Sequence, residues 1–125
     1  MPSEFKAVFS QLKAVLKKYE RHLRVLTDKP NDYILASRST PPEPPHRGRP
    51  LYFGAVRLGK AYVSYHFFPV YINAPLAKSV SPLLKKRMQG KSCFNFKTPP
   101  EPALLADLKR LTDAGFKQYR AKKWL

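Results

Sequence analysis

Acidic residues are scarce in this chain. Eight Asp and Glu stand against 24 Lys and Arg, a formal net charge of +16 over 125 residues, and that balance excludes an acidic metal buffer. Cysteine occurs once, at Cys93. One thiol makes no intrachain disulfide and no multi-cysteine zinc site, so nothing calls for an oxidising compartment. Long apolar runs are missing too: the most hydrophobic window, 65–72, falls well short of the ~20 residues that cross a bilayer. The first residues are amphipathic and charged, without the apolar stretch of a secretory leader. The expectation is a cytoplasmic protein, neither secreted nor embedded. With 43% hydrophobic and 13% aromatic residues, the chain is too apolar to stay disordered for want of a core. Its length suits one domain over 1–125.

Hydrophobic spacing organises that domain. Phe5, Val8, Phe9, Leu12, Val15, Leu16, Tyr19, Leu23 and Leu26 recur at steps of three and four, which predicts one amphipathic helix up to residue 27. Its other face carries Lys6, Lys13, Lys17, Lys18, Arg21 and Arg24, with Ser3 as N-cap. A stop at Asp28, Lys29, Pro30 and Asn31 precedes a short strand over 33–37. Residues 40–50, TPPEPPHRGRP, hold five prolines and read as an extended exposed loop.

The runs 51–58 and 61–68 read as a hairpin turning at Gly59 and Lys60. That register sets Leu58 opposite Ala61, Arg57 opposite Tyr62, Phe53 opposite His66, and Gly54 under Tyr65. One face then holds Tyr52, Gly54, Val56, Leu58, Ala61, Val63, Tyr65 and Phe67 and takes the helices. The other holds Leu51, Phe53, Ala55, Arg57, Tyr62, Ser64, His66 and Phe68, a shallow groove. Val70 to Ile72 continue as an edge strand, and 73–80 is a loop. Ser81 and Pro82 open a short helix over 83–88, capped by Gly90. Residues 91–97 alternate as a half-buried strand with Phe94 and Phe96 inward. A final amphipathic helix covers 101–121, weakened at Gly115. The sum is an α+β domain: an antiparallel β-sheet, built from 51–97 with a short helix inserted, and N- and C-terminal helices packed on one face.

The stretch LYFGAVRLGKAYVSYHFFPVY, the block GKSCFNFK and the closing helix resemble the YdhG-like family of domains of unknown function. The likeness spans roughly residue 51 onward, and Gly90, Lys91, Phe94 and Phe96 match the family's glycine-lysine strand. The long first helix and proline loop depart from it. Some members of that family resemble frataxins and are linked to iron delivery through acidic residues on the first helix. This chain has only Glu4 and Glu20 there among many cations, so an iron role does not transfer.

Other chemistry is weakly signalled. Gly90-Lys91-Ser92 copies the end of a phosphate-binding loop, but it leaves a helix and enters a strand, the reverse of the required order. Cys93 and His66 are the one nucleophile and base pair worth weighing; the sequence leaves open whether they meet in space, and Cys93 reads as an ordinary strand residue. His22 and His46 lie apart from His66, so no metal-ligand spacing arises, and no carboxylate pair suggests acid and base work. The expectation is a non-enzymatic protein with no cofactor, no metal and no catalytic residues. It binds a small or anionic ligand on the sheet face opposite the helices through Arg57, Tyr62, Ser64, His66, Lys91 and Lys97. The alternative is a nucleic-acid-associated protein in which Lys85, Lys86, Arg87, Lys91 and Lys97 meet phosphates and Tyr62 or His66 meets bases. A third reading is a protein-interaction module using the aromatic face.

Overall fold

The computed structural model describes residues 3–38, 51–90 and 93–123. The expectations placed on 40–50 and on Lys91 lie outside the described residues, and so does the capping side chain of Ser3. The apolar repeat from Phe5 to Leu16 forms α1 (Ser3–Lys17), with Phe5, Val8, Leu12 and Leu16 buried. The helix is shorter than its spacing predicts. Tyr19 and Leu23 continue inward, but from a 3-10 turn at Glu20–His22, and the chain then extends as β1 (Arg24–Lys29). Val25 and Thr27 are β-branched, which costs helix and suits strand. Tyr33 fixes the turn by donating its hydroxyl to Glu20 Oε2 at 2.6 Å.

Pro30 and Asn31 turn the chain into β2 (Asp32–Ala36). The remaining elements are β3 (Tyr52–Leu58), β4 (Val63–Phe67), α2 (Phe68–Ile72), α3 (Ala74–Lys78), α4 (Pro82–Lys85), β5 (Met88–Gln89), β6 (Cys93–Phe96) and α5 (Pro102–Ala121). The strands make one antiparallel sheet in the order β1-β2-β3-β4-β6-β5, and the α+β class follows. Residues 68–72 are helical rather than an edge strand, because Pro69 is at home in a first helical turn and removes a ladder donor from a strand. The expected loop 73–80 contains α3, capped by Asn73 Oδ1 accepting from Leu76 N. Ser81 does cap α4, accepting from Leu84 N at 3.2 Å. Gly90 is not that helix's cap: it sits at φ +75° beyond β5, between two paired strands.

Two register details decide which side chains share a face. The β3–β4 turn lies at Lys60 and Ala61, one residue later than Gly59-Lys60, with Gly59 N donating to Tyr62 O at 3.0 Å. Arg57 therefore faces Ser64, Ala55 faces His66 and Gly54 faces Phe67. Moving a two-residue turn by one position slides one strand by two, so the inward and outward sets survive. They fail at one place. The β2–β3 register passes from Leu35–Gly54 to Ala36–Tyr52, so Phe53 is an extra, bulged residue. Its ring turns into the core, 5.2 Å from Phe67 and 5.4 Å from Tyr119, while Tyr52 is sent out at 56% exposure. Leu51 is buried as well.

α1 and α5 cover the inner face. Gly54 is required there by Leu16, whose Cδ2 would lie 2.7 Å from an added Cβ, and not by Tyr65. Gly115 does not break α5: a Cβ on it would meet Phe67 Cζ at 2.6 Å, so its bareness lets helix and sheet approach. Tyr65 reaches through the core to Thr112 Oγ1 at 2.6 Å.

Candidate functional site

With both long helices on one side, the opposite face of the sheet is left open by the described residues, and the register arranges it in two rungs. The first runs Asp32, Arg57, Ser64, Asn95 across four strands. Arg57 Nε meets Asp32 Oδ1 at 3.4 Å. Ser64 donates to Asn95 Oδ1 at 3.0 Å, and Asn95 Nδ2 donates to Gln89 Oε1 at 2.6 Å. The second rung runs Ile34, Ala55, His66, Cys93. Here His66 and Cys93 do come together, with Sγ 3.1 Å from Nδ1 and 3.4 Å from Nε2.

Beside the second rung lies a cleft of about 260 Å3, lined by Ile34, Tyr52, Gly54, Ala55, Arg57, His66 and Phe68. Its floor is small because Gly54 and Ala55 are small. Its wall is aromatic: Tyr52 meets Phe68 edge-on at 6.4 Å, and Phe68 stacks on Tyr71 at 5.4 Å. Tyr52 and Tyr71 are more than half exposed, an uncommon placement for two large rings in contact with the same neighbour.

Among the described residues the charged groups at this site are Arg57 and its partner Asp32. Burial, with the nearby Arg57 charge added, pushes the His66 pKa down against a smaller opposing effect of Asp32. Burial raises the Cys93 thiol, and the Ser64 hydroxyl only partly offsets it. Near neutral pH the pair is therefore thiol and imidazole, not thiolate and imidazolium. Among the described residues no group of three or more His, Cys, Asp or Glu could hold a metal ion.

The expected site residues divide between two places. Arg57 and His66 border the cleft; Ser64 lies in the polar rung between. Tyr62 and Lys97 are at the far end of the same face, on a second groove lined also by Ala61, Lys86, Arg87, Met88, Gln89 and Asn95. Tyr62 does not face Arg57, because the turn is one residue later. Sequence reasoning missed Tyr52, which the bulge delivers, and Ile34, whose strand was seen without its neighbour. The alternation of 91–97 already set Cys93 and Asn95 on the open side. No helix among the described residues is long and apolar enough to cross a membrane. No family model, no curated protein and no solved structure matches this chain.

Proposed function

We propose that the protein is a non-enzymatic binding domain, akin to the YdhG-like family it resembles, that holds a small anionic ligand with an apolar body in the cleft beside His66. The observation that carries this reading is the union, in one concave site, of an apolar floor and aromatic wall with Arg57 at the rim. A ligand ring or chain would lie over Ala55 against Tyr52 and Phe68, gaining roughly 25 cal/mol for each Å2 of apolar surface removed from water. Arg57 lies in ion-pair range of Asp32 through Nε at 3.4 Å, which leaves its outer amino groups to meet a carboxylate or sulfonate as a fork. The neutral His66 supplies an orienting hydrogen bond without a second charge. The non-enzymatic part is supported by the His66–Cys93 pair, whose protonation is the opposite of what an activated nucleophile needs. The lone thiol fits a cytoplasmic setting.

Titration with 1-anilinonaphthalene-8-sulfonate, an aromatic anion that brightens on leaving water, tests this. Saturable binding should weaken about tenfold in Arg57→Ala, the loss of one charge-assisted contact. It should vanish in Ala55→Leu, which fills the floor, and persist in Lys86→Ala/Arg87→Ala, which lies on the other groove. Equal binding by Ala55→Leu and the parent, with matching circular dichroism, would place the dye elsewhere and overturn the proposal.

A further inference from the structure

The far groove of the open face has a different chemistry from the cleft. It encloses about 570 Å3 and is reached by following β4 back from His66 to Tyr62, roughly 13 Å at 3.3 Å per residue. Its walls present Lys86, Arg87 and Lys97, all exposed, and no carboxylate. Lys85, also exposed, precedes them on α4. Five of the eight acids are engaged elsewhere: Asp28 pairs with Lys13, Asp32 with Arg57, Asp107 with Arg110, Asp113 with Lys117, and Glu20 receives the Tyr33 hydroxyl. Among the described residues no ion pair reaches the three groove cations.

The backbone that carries Lys86 and Arg87 is also held in place. Buried Leu84 roots α4 in the core, Ser81 caps it, and Arg87 O accepts Asn95 N at 2.8 Å, tying the segment to β6. Tyr62, half-buried, lies in the groove with them, and the amide of Gln89 borders it. Basic groups that bracket an aromatic face are the elements of a single-strand platform: phosphates meet the cations and an unpaired base stacks on the ring. A duplex keeps its base faces covered and offers the ring nothing.

We infer that this groove binds single-stranded nucleic acid, with Lys86, Arg87 and Lys97 meeting the phosphates and Tyr62 stacking on a base. The inference is independent of the cleft and of the ligand proposed there.

Fluorescence anisotropy of the full chain with labelled oligothymidine of about 12 nucleotides, within the range of sheet-platform sites, tests it between about 50 and 200 mM salt. Binding should fall with a slope of log K on log salt near −2, given roughly 0.7 per phosphate neutralised on a single strand. A duplex of the same length should bind more weakly. Tyr62→Ala should weaken binding about tenfold at an unchanged slope, since stacking carries little counterion release. Lys86→Ala/Arg87→Ala should lower the slope by about 1.4. Lys6→Ala/Lys17→Ala removes the same charge from α1 and should leave affinity and slope nearly as in the parent. Equal losses in the two double variants, or a duplex bound as tightly as the single strand, would reduce the groove to a share of the general positive field and overturn the inference. Displacement by poly-glutamate at the same charge concentration as by oligothymidine would overturn it in favour of an acidic protein partner.

Discussion

Sγ of Cys93 lies 3.1 Å from Nδ1 of His66, although 27 residues separate them in the chain. The contact exists because β6 pairs beside β4 with these two residues opposite one another. A thiol and an imidazole so close invite comparison with a nucleophile and its base, but burial acts on both in the direction of neutrality.

The reactivity of Cys93 measures that environment. Alkylation by iodoacetamide follows the thiolate fraction, so its rate should rise with pH to a midpoint above the ~8.5 of a free thiol. Ser64→Ala, which removes the hydroxyl that favours the thiolate, should move the midpoint further upward. A midpoint at or below the free value in the parent would contradict the neutral pair.

His66 gives the stability a pH dependence of known sign. Its folded pKa lies below the ordinary value near 6.5, so the folded state favours the neutral ring. The contribution is present above about 6.5, the unfolded pKa, and is lost as pH falls through the lower folded value. Urea midpoints measured from pH 7.5 downward should therefore decline in the parent, and less in His66→Gln. Parallel curves for the two proteins would show that the imidazole is not desolvated.

Gly115 is a packing residue inside a helix. Gly115→Ala gains at most ~1 kcal/mol of helix propensity but drives a methyl into Phe67 Cζ and Pro69 Cβ, an overpacking that costs about 1 to 3 kcal/mol. The net loss should be near 1 kcal/mol by urea denaturation at constant m. A stabilised variant would mean that Phe67 swings aside freely.

Four tyrosines resist ionisation. Burial, and for Tyr19 and Tyr33 a carboxylate partner as well, raises their hydroxyls, Tyr19 to about 12 and Tyr33, Tyr65 and Tyr119 higher still. Their stabilising effect is complete below the unfolded value near 10 and disappears as pH climbs towards the folded ones. Absorbance at the phenolate band should thus show a late, steep phase that coincides with loss of the helical circular dichroism. Complete ionisation with the fold intact would contradict the burial of these rings.

The parts of the fold legible in the sequence are those governed by periodicity alone. Phe5 to Leu16, Leu104 to Tyr119, and the Val63–Phe67 alternation declare their inward faces without knowledge of neighbours. Even the misplaced hairpin turn cost nothing in facing, since an even slip preserves alternation. The failures lie where a choice depended on contacts elsewhere. Leu23 and Leu26 fit a helix by spacing, yet the strand they border or join becomes favourable only once β2 is there to receive β1. Phe53 leaves the ladder because the aromatic cluster of Tyr19, Phe67, Phe116 and Tyr119 accepts its ring, and nothing near residue 53 in the chain announces that cluster. The cleft inherits the same blindness, because Tyr52 enters it only as the complement of the bulge. The Cys93–His66 contact required the β4–β6 pairing, with three short helices between the strands.

The rings of Tyr19 and Phe116 meet at a tilt, with centroids 4.7 Å apart, and the Tyr19 hydroxyl donates to Asp113 across 94 residues. A chain made from its amino end presents α1 and all six strands before α5 is available to cover Phe53 and Phe67. During synthesis the part of the inner face that α5 covers therefore stays wet until that helix emerges to complete the core that α1 and the sheet have begun.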